Sequence, residues 1–293
     1  MRYKIIHSTY YTYSEFVALS PHWLRLRSRS DGWQTLHHFQ LEIDPLPTGQ
    51  SSVLDEEGNV LEKIWFDAQE LKALKITATS EVETHCTNPF NYLLEPWAVQ
   101  FPIDYPSSLL ARLSPYFAPR TLPSPIDPRV YTWAMDIADR VRYQVTPFLS
   151  AINQQVYERC DYYIRDTGDP FPPGITWEQK GGTCRDYAVL FMEACRAMGL
   201  AARFVSGYQE GDRDTTDRHL HAWAEVYLPG AGWRGYDPTH GLAVSNGHIA
   251  VAASAIPQNT APVSGTLRRS QVHSQMDFDL AIEFLDPSYY LGS

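Results

Sequence analysis

The first 84 residues and the stretch after residue 128 repeat their hydrophobic positions with different periods. Near the N-terminus the period is two. Tyr3, Ile5, His7, Thr9, Tyr11 and Tyr13 alternate with their neighbours, as do Leu24 with Leu26 and Phe39 with Leu41 and Ile43. Ile64, Phe66, Leu74 and Ile76 mark further short strands, and turn residues separate the runs at Ser30-Asp31-Gly32, Pro45–Gly49 and Glu57-Gly58-Asn59. Short strands with regular turns predict a small β-sandwich. Beyond Asp127-Pro128, an N-cap followed by proline in the first turn, Val130, Trp133, Ala134, Ile137 and Val141 form a helical stripe that predicts a helix through Arg140. A second helix is predicted from about Ser150 to Ile164. A third follows Gly181-Gly182-Thr183. Tyr187, Leu190, Phe191, Ala194 and Met198 fall on one stripe and Ala188, Met192 and Cys195 on another, so this helix is expected to be buried nearly all round until Gly199 stops it.

After that helix the period returns to two. AARFVSGY opens a sheet, and HLHAWAEVYLP separates a small apolar face (Leu220, Ala222, Ala224, Val226, Leu228) from a second face carrying His221, Trp223, Glu225 and Tyr227. The turn signal Pro229-Gly230-Ala231-Gly232 folds the chain back, so that Asp237 comes opposite the His221–Ala224 region. Met276, Phe278, Leu280, Ile282 and Phe284 alternate in a closing strand. Between the two patterned regions, about Asn88 to Pro128, nine prolines predict an ordered connection and not a flexible linker. The chain therefore divides into a β-rich N-terminal domain (1–87), a Pro-rich ordered connection (88–127), and an α+β core with the closing strand (128–293).

Composition narrows the functional classes. With 44% hydrophobic residues the chain can bury a substantial core, and its net charge of −10 argues against nucleic acid or an anionic membrane surface as partner. MRYKIIHSTYYTYSEF has neither the apolar run nor the cleavage site of a signal peptide, and no run of 18 apolar residues predicts a membrane span. Cys86, Cys160, Cys184 and Cys195 show no paired spacing, which fits reduced thiols and a cytoplasmic location. His7, His22, His37 and His38 lack Cys or Glu partners at ligand spacing, and Asp212, Asp214 and Asp217 lack the calcium-loop pattern, so neither a metal nor any other cofactor is expected.

One thiol stands apart. Thr183 and Asp186 have the spacing of a capping box, which makes Thr183 the N-cap and Cys184 the first helical residue. A thiol there faces unpaired N–H groups at the positive end of the helix dipole, a setting that favours the thiolate. The glycines before it allow close approach of a substrate carbonyl. A lone helical cysteine is ordinarily structural. Here the His221 strand and the Asp237 strand supply an imidazole and a carboxylate to go with it.

GGTCRDYAVLFMEACRAMGLAARFVSGY, HAWAEVYLPGAGW and GYDPT, in that order from Ile175 to Thr239, resemble the transglutaminase-like superfamily, above all the bacterial branch described as candidate cysteine proteases. The tail from Asn246 to Gly265 and the opening YKIIHSTYYTYSEFVALSPHWLRLR are similar to the same branch. The resemblance implies a papain-like, transglutaminase-like core of helices packed on an antiparallel sheet. In it Cys184 is the nucleophile, His221 the base and Asp237 the residue that orients the imidazole. Asp237 is expected to accept Nδ1–H, leaving Nε2 for the sulfur; His219 and His240 are the rival bases. Gly182, Tyr143 and Trp177 are candidates for the oxyanion site, the last two because relatives place such a residue upstream, and Trp223 is a candidate wall of the acyl pocket. Arg185 and Asp186 read as structural. The implied chemistry is thiol acyl transfer on a peptide or protein amide through a thioester, with peptidase or amidohydrolase activity first, transglutaminase or amide ligation second, and a non-catalytic binding scaffold third. The strand-rich first domain holds no member of this set and is expected to contribute architecture or substrate access.

Overall fold

The computed structural model describes residues 1–67, 70–117, 126–165, 167–211, 220–268 and 272–285. The acidic residues Asp212, Asp214 and Asp217, and His219, lie outside the described residues. The period-two region forms β1 (Arg2–Ala18), β2 (His22–Leu24), β3 (Gln34–Asp44), β4 (Gly49–Leu54), β5 (Val60–Trp65) and β6 (Glu70–Thr84). There follow α1 (Ser107–Leu113), α2 (Pro128–Arg140), α3 (Val145–Arg159), β7 (Asp161–Tyr162), α4 (Pro173–Gln179), β8 (Gly181–Gly182) and α5 (Cys184–Ala197). The chain ends with β9 (Ala202–Gln209), β10 (Leu220–Leu228), β11 (Gly232–Asp237), β12 (Leu242–Ala243), β13 (His248–Ser254), β14 (Val263–Ser264) and β15 (Ser274–Phe284).

The N-terminal strands make two antiparallel sheets, ordered β15-β1-β6-β3 and β14-β2-β5-β4. Tyr13, Ile43, Leu74 and Ile76 from the first meet Leu24 and Ile64 from the second in one core, which is the predicted sandwich. The second unit is a five-stranded antiparallel sheet, β12-β11-β10-β9-β13, covered by α5. Leu190, Phe191, Met192 and Ala194 of α5 are fully buried, together with Ala224, Val226 and Leu228 of β10. Large side chains buried this way each contribute roughly 1.5–3 kcal/mol as an upper estimate, so α5 is held by its surroundings more than by its own turns. A third cluster joins the units: Tyr3, Ile5 and Val82 pack against Tyr208, Ile249 and Val251. The connecting segment lies along the core, with Glu95 N–H donating to Pro229 and Phe101 buried in the main cluster. Among the described residues no helix is long and apolar enough to cross a membrane.

Two expectations are revised. The second helix runs Val145–Arg159 and stops before Ile164, because the Asp161 N–H donates to Lys180 and the chain pairs in parallel with Gly181–Gly182. The closing strand belongs to the N-terminal sheet and not to the core sheet: β15 pairs with β1 from Tyr3↔Phe284 to Tyr13↔Ser274. Its alternating pattern predicts a strand with one buried face; the strand is present with that face only half-buried, and pairing across nearly the whole chain leaves no local trace. A chain beginning at Asn88 therefore loses β1 and leaves an open edge on β15. We expect it to give no sharp thermal transition by circular dichroism and to elute as aggregate on size exclusion, whereas a cooperative monomer would show that the core folds alone.

Candidate active site

Cys184 opens α5, and the buried carboxylate of Asp186 fixes the start of that helix. Asp186 Oδ2 accepts the Thr183 N–H at 2.7 Å and the Thr183 hydroxyl at 2.9 Å. Oδ1 accepts the Phe171 N–H at 2.6 Å and Arg165 Nη2 at 2.7 Å. Four donors, one of them charged, make the burial of this carboxylate affordable. Gly182 is part of the same construction: a Cβ there would lie 2.8 Å from the Asp186 Cβ, so the glycine makes room for the carboxylate. The loop before α4 is drawn onto the helix tip, with Arg185 donating to the carbonyls of Arg165 and Thr167.

The opposite wall comes from the β10–β11 hairpin. Its register, Ala224↔Tyr236 through Leu228↔Gly232, sets Asp237 at the end of β11. Asp237 is fully buried, and its Oδ2 accepts hydrogen bonds from three imidazoles: His221 Nε2 at 2.8 Å, His240 Nδ1 at 2.9 Å and His248 Nε2 at 3.0 Å. Oδ1 accepts the Thr239 N–H at 3.0 Å. Burial alone would raise the Asp237 pKa, but the charge and hydrogen bond of His221, with the hydrogen bonds of His240 and His248, hold it well below the usual carboxylate range. Burial alone would lower the His221 pKa. The Asp237 charge and hydrogen bond, with the hydrogen bond to Cys184, outweigh it and raise the value to about 10.

Since Nε2 of His221 is given to Asp237, Nδ1 is the nitrogen left for Cys184. The two nitrogens are thus exchanged relative to the sequence expectation. Asp237 stands beyond the Ala224↔Tyr236 pair, diagonal to His221, and the nitrogen farther from the main chain is the one that spans that offset. His240 is half-exposed; His221, Asp237 and His240 bring ligand-type atoms within 4.8 Å of one another, but in the structure these atoms are engaged in the hydrogen bonds to Asp237.

Two family profiles match. The bacterial transglutaminase-like N-terminal region covers residues 3–83, and the transglutaminase-like superfamily core covers residues 133–238. The chain belongs to the transglutaminase-like superfamily. A Mycobacterium tuberculosis protein of uncharacterised function is 28% identical over 298 residues, covering 96% of this chain and 92% of its own length. The protein-glutamine gamma-glutamyltransferase of Pseudomonas aeruginosa is 30% identical over 123 residues, which span 38% of this chain and 18% of that protein. The crystal structure of a candidate cysteine protease from Cytophaga hutchinsonii shares the fold, with a TM-score of 0.71 at 20% identity over 98% of this chain and 92% of that one.

Within this transglutaminase-like core the other candidates take different places. Tyr143 sits in the α2–α3 turn at φ 58°, with its carbonyl accepting the Phe101 N–H. Trp177 stacks on Trp133 with ring centroids 4.2 Å apart. Tyr143 and Trp177 both pack against the main hydrophobic cluster, and among the described residues neither side chain is hydrogen-bonded to Cys184. Trp223 is buried behind His221 and His248, at ring-centroid distances of 6.2 and 5.4 Å, so it backs the imidazoles instead of lining an open acyl pocket. The side chain that does reach the thiol is Tyr162. The β7–β8 pairing Tyr162↔Gly182 sets it beside the helix tip, close enough for the Cys184 charge to bear on its hydroxyl. Burial, followed by the charges of Cys184 and Asp237, pushes its pKa up to about 12, so it stays a neutral donor.

The four free cysteines differ sharply in surroundings. Burial pushes Cys195 far up, Cys160 up to about 11 and Cys86 upward. Only Cys184 has an imidazolium partner. Limiting iodoacetamide near neutral pH is expected to label Cys184 first by peptide mapping, and earlier labelling of another cysteine would break this ordering. Asp186→Ala leaves Arg165 facing an unpaired site and removes the cap. It should cost about 3 kcal/mol by urea denaturation, and a cost near zero would deny Asp186 its anchoring role.

Proposed function

We propose that the chain is a thiol acyl-transfer enzyme acting on peptide or glutamine-type amides, with Cys184 as nucleophile, His221 as acid and base, and Asp237 as the group that orients His221. The observation that carries the reading is a thiol at a helix tip beside an imidazole whose Nε2 is hydrogen-bonded to a buried carboxylate. The reaction follows from that order. In the resting ion pair the Cys184 proton already sits on His221 Nδ1, and the thiolate sulfur bonds to the amide carbonyl carbon as the carbonyl π pair moves onto oxygen. Negative charge collects on the carbonyl oxygen, where the Cys184 N–H and the Tyr162 hydroxyl are the donors; Tyr162 fills the second place that neither Tyr143 nor Trp177 reaches. His221 returns its proton to the leaving amine as the C–N bond breaks, and a thioester remains.

Water then attacks the thioester, losing its proton to His221, and frees the acid and the thiol. Attack by a primary amine in place of water would make a new amide. The second outcome is favoured by the core-region likeness to a protein-glutamine gamma-glutamyltransferase; hydrolysis is the simpler outcome and the first reading. Residence in a reducing cytoplasm belongs to the same proposal and is supported by the four free cysteines.

The test is an activated ester followed by intact-mass analysis, then a peptide panel assayed with and without an added primary amine. A mass increase on Cys184 supports the enzyme; no adduct would leave a binding scaffold. An amine-dependent product would assign transfer over hydrolysis. Asp237→Asn is expected to keep the fold while slowing acylation by up to about four orders of magnitude, by analogy with the serine triad. It also removes the charge that raises His221, so the imidazolium should titrate well below 10 when followed by NMR. An unchanged rate and titration would remove Asp237 from the mechanism.

A further inference from the structure

β13 is an edge strand of the core sheet, paired on one side with β9. Its other side is met by side chains of the N-terminal domain. Gln34 Oε1 accepts the Ala250 N–H at 2.8 Å while its Nε2 donates to the Ala250 carbonyl at 2.8 Å. Asn59 repeats the arrangement at Ala253, accepting its N–H and donating to its carbonyl, both at 2.9 Å. A side-chain amide has the same donor and acceptor as a peptide unit, so these two residues do for β13 what a neighbouring strand would do. Gln34 and Asn59 are themselves 3% and 1% exposed, and Arg29 Nη1 donates to Asn59 Oδ1 at 2.7 Å. Thr84 completes the grip by donating to the Asn246 carbonyl at 2.8 Å.

The strand held in this way begins with His248. Its Nδ1 accepts the Ser245 N–H at 3.5 Å, which leaves Nε2 as the protonated nitrogen, and Nε2–H is the one that points to Asp237 at 3.0 Å. The groups facing its ring are Asp237, His221, His240 and the Trp223 indole, which crosses it at 5.4 Å. Burial lowers the His248 pKa, so it is a neutral donor that fixes the carboxylate without competing with His221 for charge.

We infer that the N-terminal domain is a working part of the active site: Gln34 and Asn59 hold β13 in place, and His248 at the start of that strand is a positioning residue for Asp237. The inference rests on the Cys184–His221–Asp237 reading. Asp237 is the residue that must present Oδ2 to His221, and three of its partners are local to β10, β11 and the turn after it. His248 brings the one contact that comes from the far edge of the sheet, and with it the influence of the first domain.

The test uses the full chain. In His248→Ala, Gln34→Ala/Asn59→Ala and the triple variant, the rate of Cys184 acylation by an activated ester is measured, and the His221 ring is titrated by NMR. His248→Ala should lower kcat about tenfold with KM unchanged, on the scale of one lost hydrogen bond to a charged group. It should also lower the His221 titration point, and His248→Gln, which can still donate, should restore much of both. Gln34→Ala/Asn59→Ala should reproduce the loss, and the triple variant should add little to it, since both act through one contact. If the double variant fails to fold, Gln34→Glu, which keeps the acceptor for Ala250 and loses the donor, gives a graded form of the same effect. Wild-type kcat and His221 titration in His248→Ala would overturn the inference, as would losses that simply multiply in the triple variant. A wild-type protein whose Cys184 takes no acyl group would instead overturn the functional reading, and the NMR titration would still report whether His248 governs Asp237 and His221.

Discussion

Burying one negative charge organises the catalytic half of the molecule. Asp237 has no solvent to stabilise it, so every hydrogen bond it can accept must come from protein. Three elements of structure bend to this requirement: the strand carrying His221, the turn carrying Thr239 and His240, and the edge strand carrying His248. Their donors leave the carboxylate ionised and its orientation determined. The proton held on His221 is a result of that charge, since burial alone would strip it.

A second buried carboxylate plays the corresponding part on the helix side. Asp186 ties the first turn of α5 to the loop containing Arg165 and Phe171, and so aims the thiol. The two carboxylates serve different ends. Asp186 is neutralised by a guanidinium, which makes a rigid anchor. Asp237 is surrounded by imidazoles, whose charge can move within the pH range of aqueous chemistry. Only the second arrangement can take part in proton transfer.

What the sequence discloses follows from how local each signal is. Helix α5, its N-cap and its glycine stop are written within twenty residues, and the His221 and Asp237 strands are joined by a short turn, so the three groups that meet in the structure were readable from period and spacing. Tyr162 was not, because a two-residue strand has no period; its helix-like surroundings carried the predicted helix past the true end at Arg159. The exchange of imidazole nitrogens depends on a diagonal offset between strands, which residue alternation does not encode. Asn59 falls in the turn signal Glu57-Gly58-Asn59 and Gln34 in no motif, while the partners of Gln34 and Asn59 lie 216 and 194 positions away.

The pairing of β1 with β15 also sets an order of events during synthesis. Of the described strands β1 is made before all the others, yet it acquires its outer neighbour only when β15 has emerged. Until then one edge of β1 stands open, and the sandwich lacks a member of its larger sheet. Closure across nearly the whole chain makes completion of the fold a late, non-local step, so a nascent chain can hold an assembled thiol helix well before the first domain is whole.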